Sequence, residues 1–442
     1  MKYDIIIHNG TIVTVNGGFD VINDGLICVR DGKIETVSQR PANYFPSEAK
    51  EIIDAKGGII MPGLVNTHTH LPMSLMRGIA DDLPLFDWLN GHIFPFEAKH
   101  MDFENVKLGA QLGFVEMLLS GTTSCCDGYF HEDAVAQAAS EAGIRGVFGQ
   151  GVVDFPAPGV PDPADNINAA ERYVRKLRNA SPLVKPSLFC HSPYACSEET
   201  LKKAKSVALS NNILFQIHIS ETKNEFDMIM ERHGLSPVKY LEKAGVLDEM
   251  TLLVHAIWVD EEDIGIISRR GCKISHNPQS NMKLASGIAP VPGFLKKEIT
   301  VALGTDGCAS NNDPDLLKEM DMAAKIHKAA LLDPTVMDAG AVLKMATIRG
   351  AEAIGLGDKT GSIEKGKEAD IIIIDADSPH LIPIYNPVSH IVYSANGSDV
   401  RDVIVAGKII VRDKKPLTLD TDRIMQKANI LCADIKKRIP AS

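Results

Sequence analysis

Apolar and polar residues alternate in two different rhythms along the chain. Short alternating runs fill about the first 55 residues, and the turns at Asn16-Gly17 and Asp31-Gly32 are typical of β-hairpins. Similar short runs return near 369–375 and 402–415. We therefore expect residues 1–57 and 365–420 to form one small β-sandwich domain built from both ends of the chain.

Between these ends, longer apolar runs alternate with helix-like segments such as 197–212 and 316–332. The strand-like runs span residues 58–68, 121–129, 143–154, 184–193, 213–220, 251–259, 272–278 and 299–306. Eightfold strand–helix alternation predicts a (β/α)8 TIM-type barrel over 58–364, with a doubly wound open sheet as the structural alternative. No G-x-G-x-x-G follows the first run, which counts against a dinucleotide-binding sheet.

The two termini carry further signals. Apolar residues recur with helical spacing near the end, which predicts a C-terminal helix within 421–442. The N-terminal apolar run is interrupted by Asp4 and His8, so it does not read as a signal peptide. No run approaches the roughly 18 uninterrupted apolar residues of a membrane helix.

Composition narrows the class of protein. The formal net charge is −11, which argues against nucleic acid and anionic membranes as partners. The eight cysteines contain no C-x-x-C pair and mostly lie in apolar, strand-like runs, as buried free thiols in a reducing compartment do. We therefore expect a cytoplasmic protein without a nucleic-acid or membrane partner, and a homo-oligomer remains open.

Chemically capable side chains recur at the carboxyl ends of the strand-like runs. They are His68, His70, Asp127, His191, His218, His255, His276 and Asp306. In a (β/α)8 barrel these ends converge on one face, where active sites are built. The pattern therefore predicts an active site on that face.

Spacing adds a metal site to this prediction. His68 and His70 are two residues apart on a strand, so both imidazoles can reach one ion. Glu221 follows His218 by three residues, where a carboxyl group can move protons. Each residue alone also fits a structural role: an exposed polar pair, a core histidine, or, for Asp306, a helix N-cap. All of these structural roles would have to hold at once for the site to be absent, so we favour a metal-binding catalytic site.

The motifs around these residues resemble those of the amidohydrolase superfamily. They are His68-Thr69-His70 after MPGLVNT, the HIS-x-x run at 218–222, the His255 strand, SHNPQSN (275–281) and LGTDGCASNN (303–312). The segments LFDWLNGHIFPFE (85–97), HSPYACSEE (191–199) and TDGCASNN (305–312) are more closely similar to the 5′-methylthioadenosine/S-adenosylhomocysteine deaminase group. The resemblance covers nearly the whole chain, including the terminal β segments.

This resemblance implies a reaction and a cofactor. The reaction is hydrolytic deamination of an adenine nucleoside to the inosine analogue and ammonia, with 5′-methylthioadenosine, S-adenosylhomocysteine, adenosine or 5′-deoxyadenosine as substrate. The cofactor is one divalent metal per subunit, zinc before iron or manganese. The implied ligands are His68, His70, His218 and Asp306. No Lys ends a strand-like run, which fits a single-metal site without a bridging carboxylated lysine.

The resemblance also implies roles for individual residues. Glu221, His255 and Asp306 would be catalytic: Glu221 donates a proton to ring N1, while His255 and Asp306 accept or orient the proton of the attacking water. Asp306 would then pass a proton to the leaving amine. The implied substrate contacts are Glu97, His191, Glu221, Trp88 and Asp306.

Two rival functions remain open. One is a triazine, guanine or pterin hydrolase of the same fold, for which Glu97 has no evident use because those flat rings carry no ribose hydroxyls. The other is a non-enzymatic scaffold, which the complete set of implied ligands disfavours. A nucleotide-dependent enzyme is disfavoured because no Gly-rich phosphate loop occurs.

The third strand-like run bears on the choice of nucleoside. Members of the resembled group that accept the homocysteine tail can place arginines in and after this strand, since Arg pairs well with a carboxylate. Here Gln150 stands before residues 151–154, and the loop 155–166 has no basic residue. Arg145 lies near the start of the strand, away from the expected site. We therefore expect S-adenosylhomocysteine to be a poorer substrate, unless another loop or a neighbouring subunit supplies a basic side chain.

Overall fold

The computed structural model of the chain describes residues 2–42, 44 and 49–438. In this part of the chain, nineteen strands form three sheets. The strands are β1 (Tyr3–His8), β2 (Thr11–Val13), β3 (Val21–Ile22), β4 (Gly25–Arg30), β5 (Lys33–Gln39), β6 (Ala49–Asp54), β7 (Ile59–Pro62), β8 (Leu64–Thr69), β9 (Thr122–Tyr129), β10 (Arg145–Val152), β11 (Val184–Cys190), β12 (Phe215–Ile219), β13 (Thr251–His255), β14 (Lys273–His276), β15 (Val301–Leu303), β16 (Ile371–Ile374), β17 (Val400–Val405), β18 (Lys408–Arg412) and β19 (Lys415–Pro416).

Helices occupy most of the remaining described chain. The α-helices are α1 (Leu85–Trp88), α2 (Phe94–His100), α3 (Phe103–Leu119), α4 (Glu132–Ala142), α5 (Asn166–Leu177), α6 (Glu198–Asn211), α7 (Lys223–His233), α8 (Pro237–Ala244), α9 (Glu261–Arg270), α10 (Pro278–Lys283), α11 (Val291–Lys296), α12 (Leu316–Leu331), α13 (Ala339–Met345), α14 (Ile348–Ala353), α15 (Pro387–Tyr393) and α16 (Thr421–Arg438). A π-helical turn, Leu89–Ile93, joins α1 to α2. Short 3-10 helices lie at Leu71–Met76, Pro163–Asp165, Pro379–Leu381 and Gly397–Asp399.

Strands β8 to β15 form the barrel. Each strand pairs in parallel with the next one along the chain. The ring closes between its first and last strands, where the Thr305 amide donates to the His68 carbonyl at 3.1 Å and Thr67 Oγ1 donates to the Leu303 carbonyl at 2.9 Å. This confirms the predicted (β/α)8 barrel and excludes the open sheet. All eight carboxyl ends therefore meet at one face.

Strands from both ends of the chain share one sheet. Antiparallel pairing of β16 with β7 joins the late strands to the early ones, in the order β19-β18-β17-β16-β7-β2-β3. A second sheet has the order β5-β4-β1-β6. Ile7 and Ile27 of the second sheet pack against Ile60, Ile371 and Ile404 of the first in one buried cluster. The two sheets thus form a small sandwich, as two apolar sheet faces must be buried against each other.

The run 58–68, predicted as one barrel strand, is two strands in the structure. The first part, β7, lies in the sandwich, and only β8 lies in the barrel. Gly63 separates them, and a Cβ on this residue would lie 2.1 Å from Thr123 Oγ1. Both strands are fully buried and follow one another with only Gly63 between them, so their sequence does not reveal that they join different sheets. The predicted domain boundaries stay predictions.

The predicted C-terminal helix corresponds to α16, which packs against α3. Ile424, Ala428 and Ile435 are buried, and residues 439–442 lie outside the described part. All eight cysteines are described, and each is a free thiol. No described helix combines the length and the apolar character that crossing a membrane requires.

Candidate active site

Four side chains converge at the carboxyl face of the barrel. His68 lies in β8 and His70 directly follows this strand, while His218 lies in β12 and Asp306 follows β15. One ligand atom from each lies within 4.8 Å of the others. His68 Nε2 is 3.2 Å from His218 Nε2, and Asp306 Oδ1 is 3.3 Å from Nε2 of both His68 and His70. The first, fifth and last strands of the barrel thus bring their ends to one point.

The charges of this cluster suit a cation. Burial lowers the pKa of His68 to about 4 and also lowers the pKa values of His70 and His218, so the imidazoles are neutral at pH 7. Burial alone would raise the pKa of Asp306, but the hydrogen bond from His68 holds it well below its usual value. Three neutral ring nitrogens and one carboxylate form a donor set for a divalent metal. The geometry and charge of this group are therefore suited to hold one divalent ion.

Neighbouring side chains orient the carboxylate of Asp306. Ser280 Oγ and Ser310 Oγ donate to Oδ2 at 2.7 and 2.9 Å, and the Gly307 amide donates to Oδ1 at 2.9 Å. His70 is fixed in the same way, since its Nδ1 lies 2.5 Å from the Gly128 carbonyl. Such contacts set the direction in which a ligand atom points. Sequence reasoning missed the two serines, although both lie in motifs that carried the resemblance.

The two predicted proton carriers lie beside the cluster. Glu221 follows β12, His255 ends β13, and Glu221 Oε2 is 3.9 Å from His255 Nε2. Burial raises the pKa of Glu221 to about 8, so the group is mostly protonated at pH 7. His255 Nδ1 lies 2.8 Å from Asn281 Oδ1, a partner that sequence reasoning also missed.

A cavity opens in front of these groups, and the structure brings all the predicted substrate contacts to its wall. They are Glu97, His191, Glu221, Trp88 and Asp306. Apolar side chains form most of the remaining wall, among them Phe94, Phe130, Val153 and Leu284. Such a mostly apolar cavity with a few convergent polar groups is typical of small-molecule sites.

Glu97 is a buried carboxyl group in the wall of this cavity. It belongs neither to the metal cluster nor to the two proton carriers. Tyr129 OH donates to its Oε1 at 2.6 Å, and burial raises the pKa of Glu97 to about 7. Tyr129 ends β9, and nothing in the sequence singled it out. The contact leaves Glu97 held in place at the cavity wall.

Two of the strand-end residues do not face the cavity. His276 Nε2 lies 3.1 Å from Nε2 of His327 on α12. Asp127 is fully buried beside Glu132 and accepts the Leu71 amide at 2.7 Å. A position at the end of a strand therefore does not by itself place a side chain in the cavity, because neighbouring residues on a strand point in opposite directions.

Comparison with known proteins defines the class. Residues 59–410 match the Amidohydrolase family, and the chain belongs to that family. It is 41% identical over 435 residues to a 5-methylthioadenosine/S-adenosylhomocysteine deaminase of Syntrophobacter fumaroxidans, covering 98% of this chain and 99% of the relative. It is 42% identical over 436 residues to a 5′-deoxyadenosine deaminase of Methanothermobacter thermautotrophicus, covering 98% and 100%.

A solved structure extends the similarity to the fold. The adenosine deaminase from Xanthomonas campestris with bound zinc matches with a TM-score of 0.95 at 33% identity, covering 98% of this chain and 99% of that one. The chain is thus similar, over nearly its full length, to enzymes that deaminate adenine nucleosides.

Proposed function

We propose that this protein hydrolytically deaminates a small adenine nucleoside and releases the inosine analogue and ammonia. The observation that carries the proposal is the cluster of His68, His70, His218 and Asp306. Three of its members line one cavity together with the buried, protonated Glu221. Two relatives, 41% and 42% identical to this chain, carry the names of adenine-nucleoside deaminases. Their names support the same substrate class here.

The chain's own residues account for the proton movements. Glu221, protonated at neutral pH, would donate to ring N1 as water adds to C6. Asp306 and His255 would take the proton that this water loses, and Asp306 would return it to the amine as ammonia leaves. Burial of all three groups keeps bulk water from competing for these protons.

We propose zinc as the resident ion, with iron and manganese as alternatives. Three histidine nitrogens and one carboxylate would hold it, and when bound it would supply a nucleophilic water at neutral pH. The test measures bound metal and turnover in the wild type and in His68→Ala. We expect one ion per subunit in the wild type and loss of both ion and activity in the variant. Full activity of metal-free protein would contradict the proposal.

The nucleoside contacts favour a sugar-bearing substrate. Glu97 would accept hydrogen bonds from ribose hydroxyls, with His191 beside it and Trp88 packing on the nucleoside. A guanine, triazine or pterin hydrolase would have no hydroxyl to offer this carboxyl group. This contrast is why we prefer a nucleoside over those rings.

The cavity wall also favours an uncharged 5′ substituent. Among the described residues that line it, none is Lys or Arg. Arg145 cannot serve, because it is buried in an ion pair with Asp370 at 2.8 Å. Lacking a charge-assisted pair for the homocysteine carboxylate costs about 1.5–3 kcal/mol, or roughly tenfold to a hundredfold in affinity. We propose that 5′-methylthioadenosine, 5′-deoxyadenosine or adenosine is preferred over S-adenosylhomocysteine.

One substrate panel separates these alternatives. We would measure kcat/KM for 5′-methylthioadenosine, 5′-deoxyadenosine, adenosine, S-adenosylhomocysteine, guanine and a chlorotriazine. The proposal expects activity on the first three, weaker activity on S-adenosylhomocysteine and little on the last two. A clear preference for guanine or the triazine would refute the nucleoside assignment. A preference for S-adenosylhomocysteine would refute only the interpretation of the cavity wall.

The state of the cysteines bears on the cellular location. We propose a cytoplasmic location, supported by eight cysteines that are all free thiols. Cell fractionation with an antibody to the chain tests it, and recovery of the protein in an oxidising compartment would contradict it.

A further inference from the structure

The turn that carries Glu221 is held by a second glutamate. Ser220, directly before Glu221, has a left-handed backbone with φ of 50°. The amides of Ser220 and Glu221 both donate to the carboxylate of Glu225, at 2.9 Å to Oε1 and 2.8 Å to Oε2. Glu225 is 1% exposed and does not line the cavity. Its carboxylate therefore acts on the backbone of the turn and not on a bound ligand.

Glu225 itself is fixed by the start of a helix. It is the third residue of α7, and its amide donates to Oγ1 of the N-cap residue Thr222 at 3.2 Å. The side chain then reaches back past the N-cap to the two preceding amides. This arrangement resembles a capping box, except that the carboxylate accepts hydrogen bonds from the amides of residues before the N-cap. Main chain and side chain of Glu225 are both anchored as a result.

The same turn is bonded to the segment after the other proton carrier. The Ser220 carbonyl accepts the amides of Ile257 at 3.0 Å and Trp258 at 2.9 Å. These residues follow His255, whose φ is 72°. The turn at 220–221 and the segment at 255–258 thus form one hydrogen-bonded unit. This unit joins the backbone segments that carry Glu221 and His255.

We propose that Glu225 is a positioning residue that places Glu221 for proton transfer. The inference rests on the proposed function. Only a carboxylate can accept from both amides, because a glutamine would turn an NH2 group towards one of them. A shift of about 1 Å in a catalytic group can cost roughly a hundredfold in rate.

The first test is Glu225→Gln, measured for bound metal, thermal unfolding, kcat and KM. We expect kcat to fall roughly tenfold to a hundredfold, with KM and bound metal close to wild type. Asp263→Asn is the matched control. Asp263 is also buried, is also the third residue of a helix, α9, and also accepts a preceding amide, that of Asp260 at 3.2 Å. It lies away from the cavity, and its variant is expected to keep the wild-type kcat.

A double-mutant cycle with Glu221→Gln shows whether Glu225 works through Glu221. If it does, adding Glu225→Gln to Glu221→Gln lowers kcat by less than about threefold. If Glu225→Gln does not fold, Glu225→Asp replaces it. The shorter side chain of this second variant would keep both acceptor oxygens but reach one methylene less far, and the same fall in kcat at constant KM is expected.

Three outcomes would overturn the inference. They are a normal kcat in Glu225→Gln, an equal loss in Asp263→Asn, and a full multiplicative loss in the double variant. Normal turnover of Glu221→Gln would instead refute the proposed role of Glu221, and this inference with it. Low turnover of Glu221→Gln beside a normal Glu225→Gln would leave the proposed function standing and remove only the role of Glu225.

Discussion

Burial sets the protonation of individual side chains around the cavity, and it acts in opposite directions on acids and bases. It lowers the pKa of His68 to about 4, which leaves the imidazole nitrogen free to bind a cation. It raises the pKa of Glu221 to about 8 and that of Glu97 to about 7. The same apolar environment thus keeps the imidazole of His68 neutral and the carboxyl group of Glu221 protonated.

The protonated state of Glu221 leads to a prediction about turnover. In Glu221→Gln, the amide keeps the shape of the side chain but cannot donate a proton to ring N1 as a carboxylic acid does. We expect kcat to fall by several orders of magnitude while the bound metal stays at the wild-type level. Steady-state kinetics and metal analysis on the same preparation check this. Near-normal turnover would show that the proton comes from another group.

The raised pKa of Glu97 predicts a pH dependence of substrate binding. A carboxyl group with a pKa of about 7 is ionised above that pH and protonated below it. Ribose hydroxyls donate best to the ionised form, so KM should rise as pH falls, by up to roughly tenfold at pH 6. In Glu97→Gln, KM should be high and nearly constant from pH 6 to 8. Bound metal must be measured at each pH, and a wild-type KM that does not change over this range would contradict the role of Glu97.

At the scale of elements, the barrel strands approach one another so closely that some positions exclude a side chain. Gly304 lies between β15 and Asp306. A Cβ there would be 2.4 Å from Asn277 Oδ1, 2.7 Å from Ser275 Oγ and 2.9 Å from the Cβ of His68. All three neighbours are buried, so they have little room to move. The glycine thus keeps β8, β14 and the end of β15 at their observed spacing.

We therefore expect Gly304→Ala to damage both stability and the metal site. Overpacking a buried site typically costs about 1–3 kcal/mol, and relief of the contact would push His68 away from its partners. Denaturant unfolding and metal titration measure the two effects. Gly17→Ala is the control, because a Cβ on Gly17 meets nothing within 4 Å. Unchanged metal affinity in Gly304→Ala would mean that the strands adjust without moving His68.

At the scale of the whole molecule, a buried ion pair joins the barrel to the sandwich. Arg145 begins β10, and its guanidinium contacts Asp370, directly before β16, at 2.8 and 3.0 Å, and Glu368 at 2.6 Å. The side chain of Arg145 is 2% exposed and that of Asp370 is fully buried. The pair lies at the opposite end of β10 from the cavity residues, so its contribution is to stability.

Arg145→Met should destabilise the protein strongly, because it leaves Asp370 buried without its partner. Breaking a buried pair in this way typically costs about 3–5 kcal/mol. The free energy of unfolding of the metal-loaded protein measures the loss, while kcat of the folded fraction should stay normal. Arg172→Met removes an exposed pair with Asp165 and is expected to leave unfolding unchanged. Equal effects of the two substitutions would show that the buried pair does not hold the two units together.

The sequence by itself determined the architecture and the chemical class. Eight apolar runs separated by helical segments predicted the barrel, and strands at both ends of the chain predicted a shared sandwich. The spacing of His68 and His70 and the motifs around His218 and Asp306 indicated a metal site and the amidohydrolase family. These signals are local, since periodicity and motif spacing can be read without knowing which residues meet in space.

Only the tertiary structure decided how the site is held and which residues face it. Tyr129, Ser280 and Asn281 hold site side chains that come from other parts of the chain. No periodicity marks a residue whose partner lies on another element. The direction of His276, away from the cavity, and the division of 58–68 between two sheets were likewise undetermined. These features depend on register and on the packing of neighbouring strands, which arise from contacts between segments far apart in the chain.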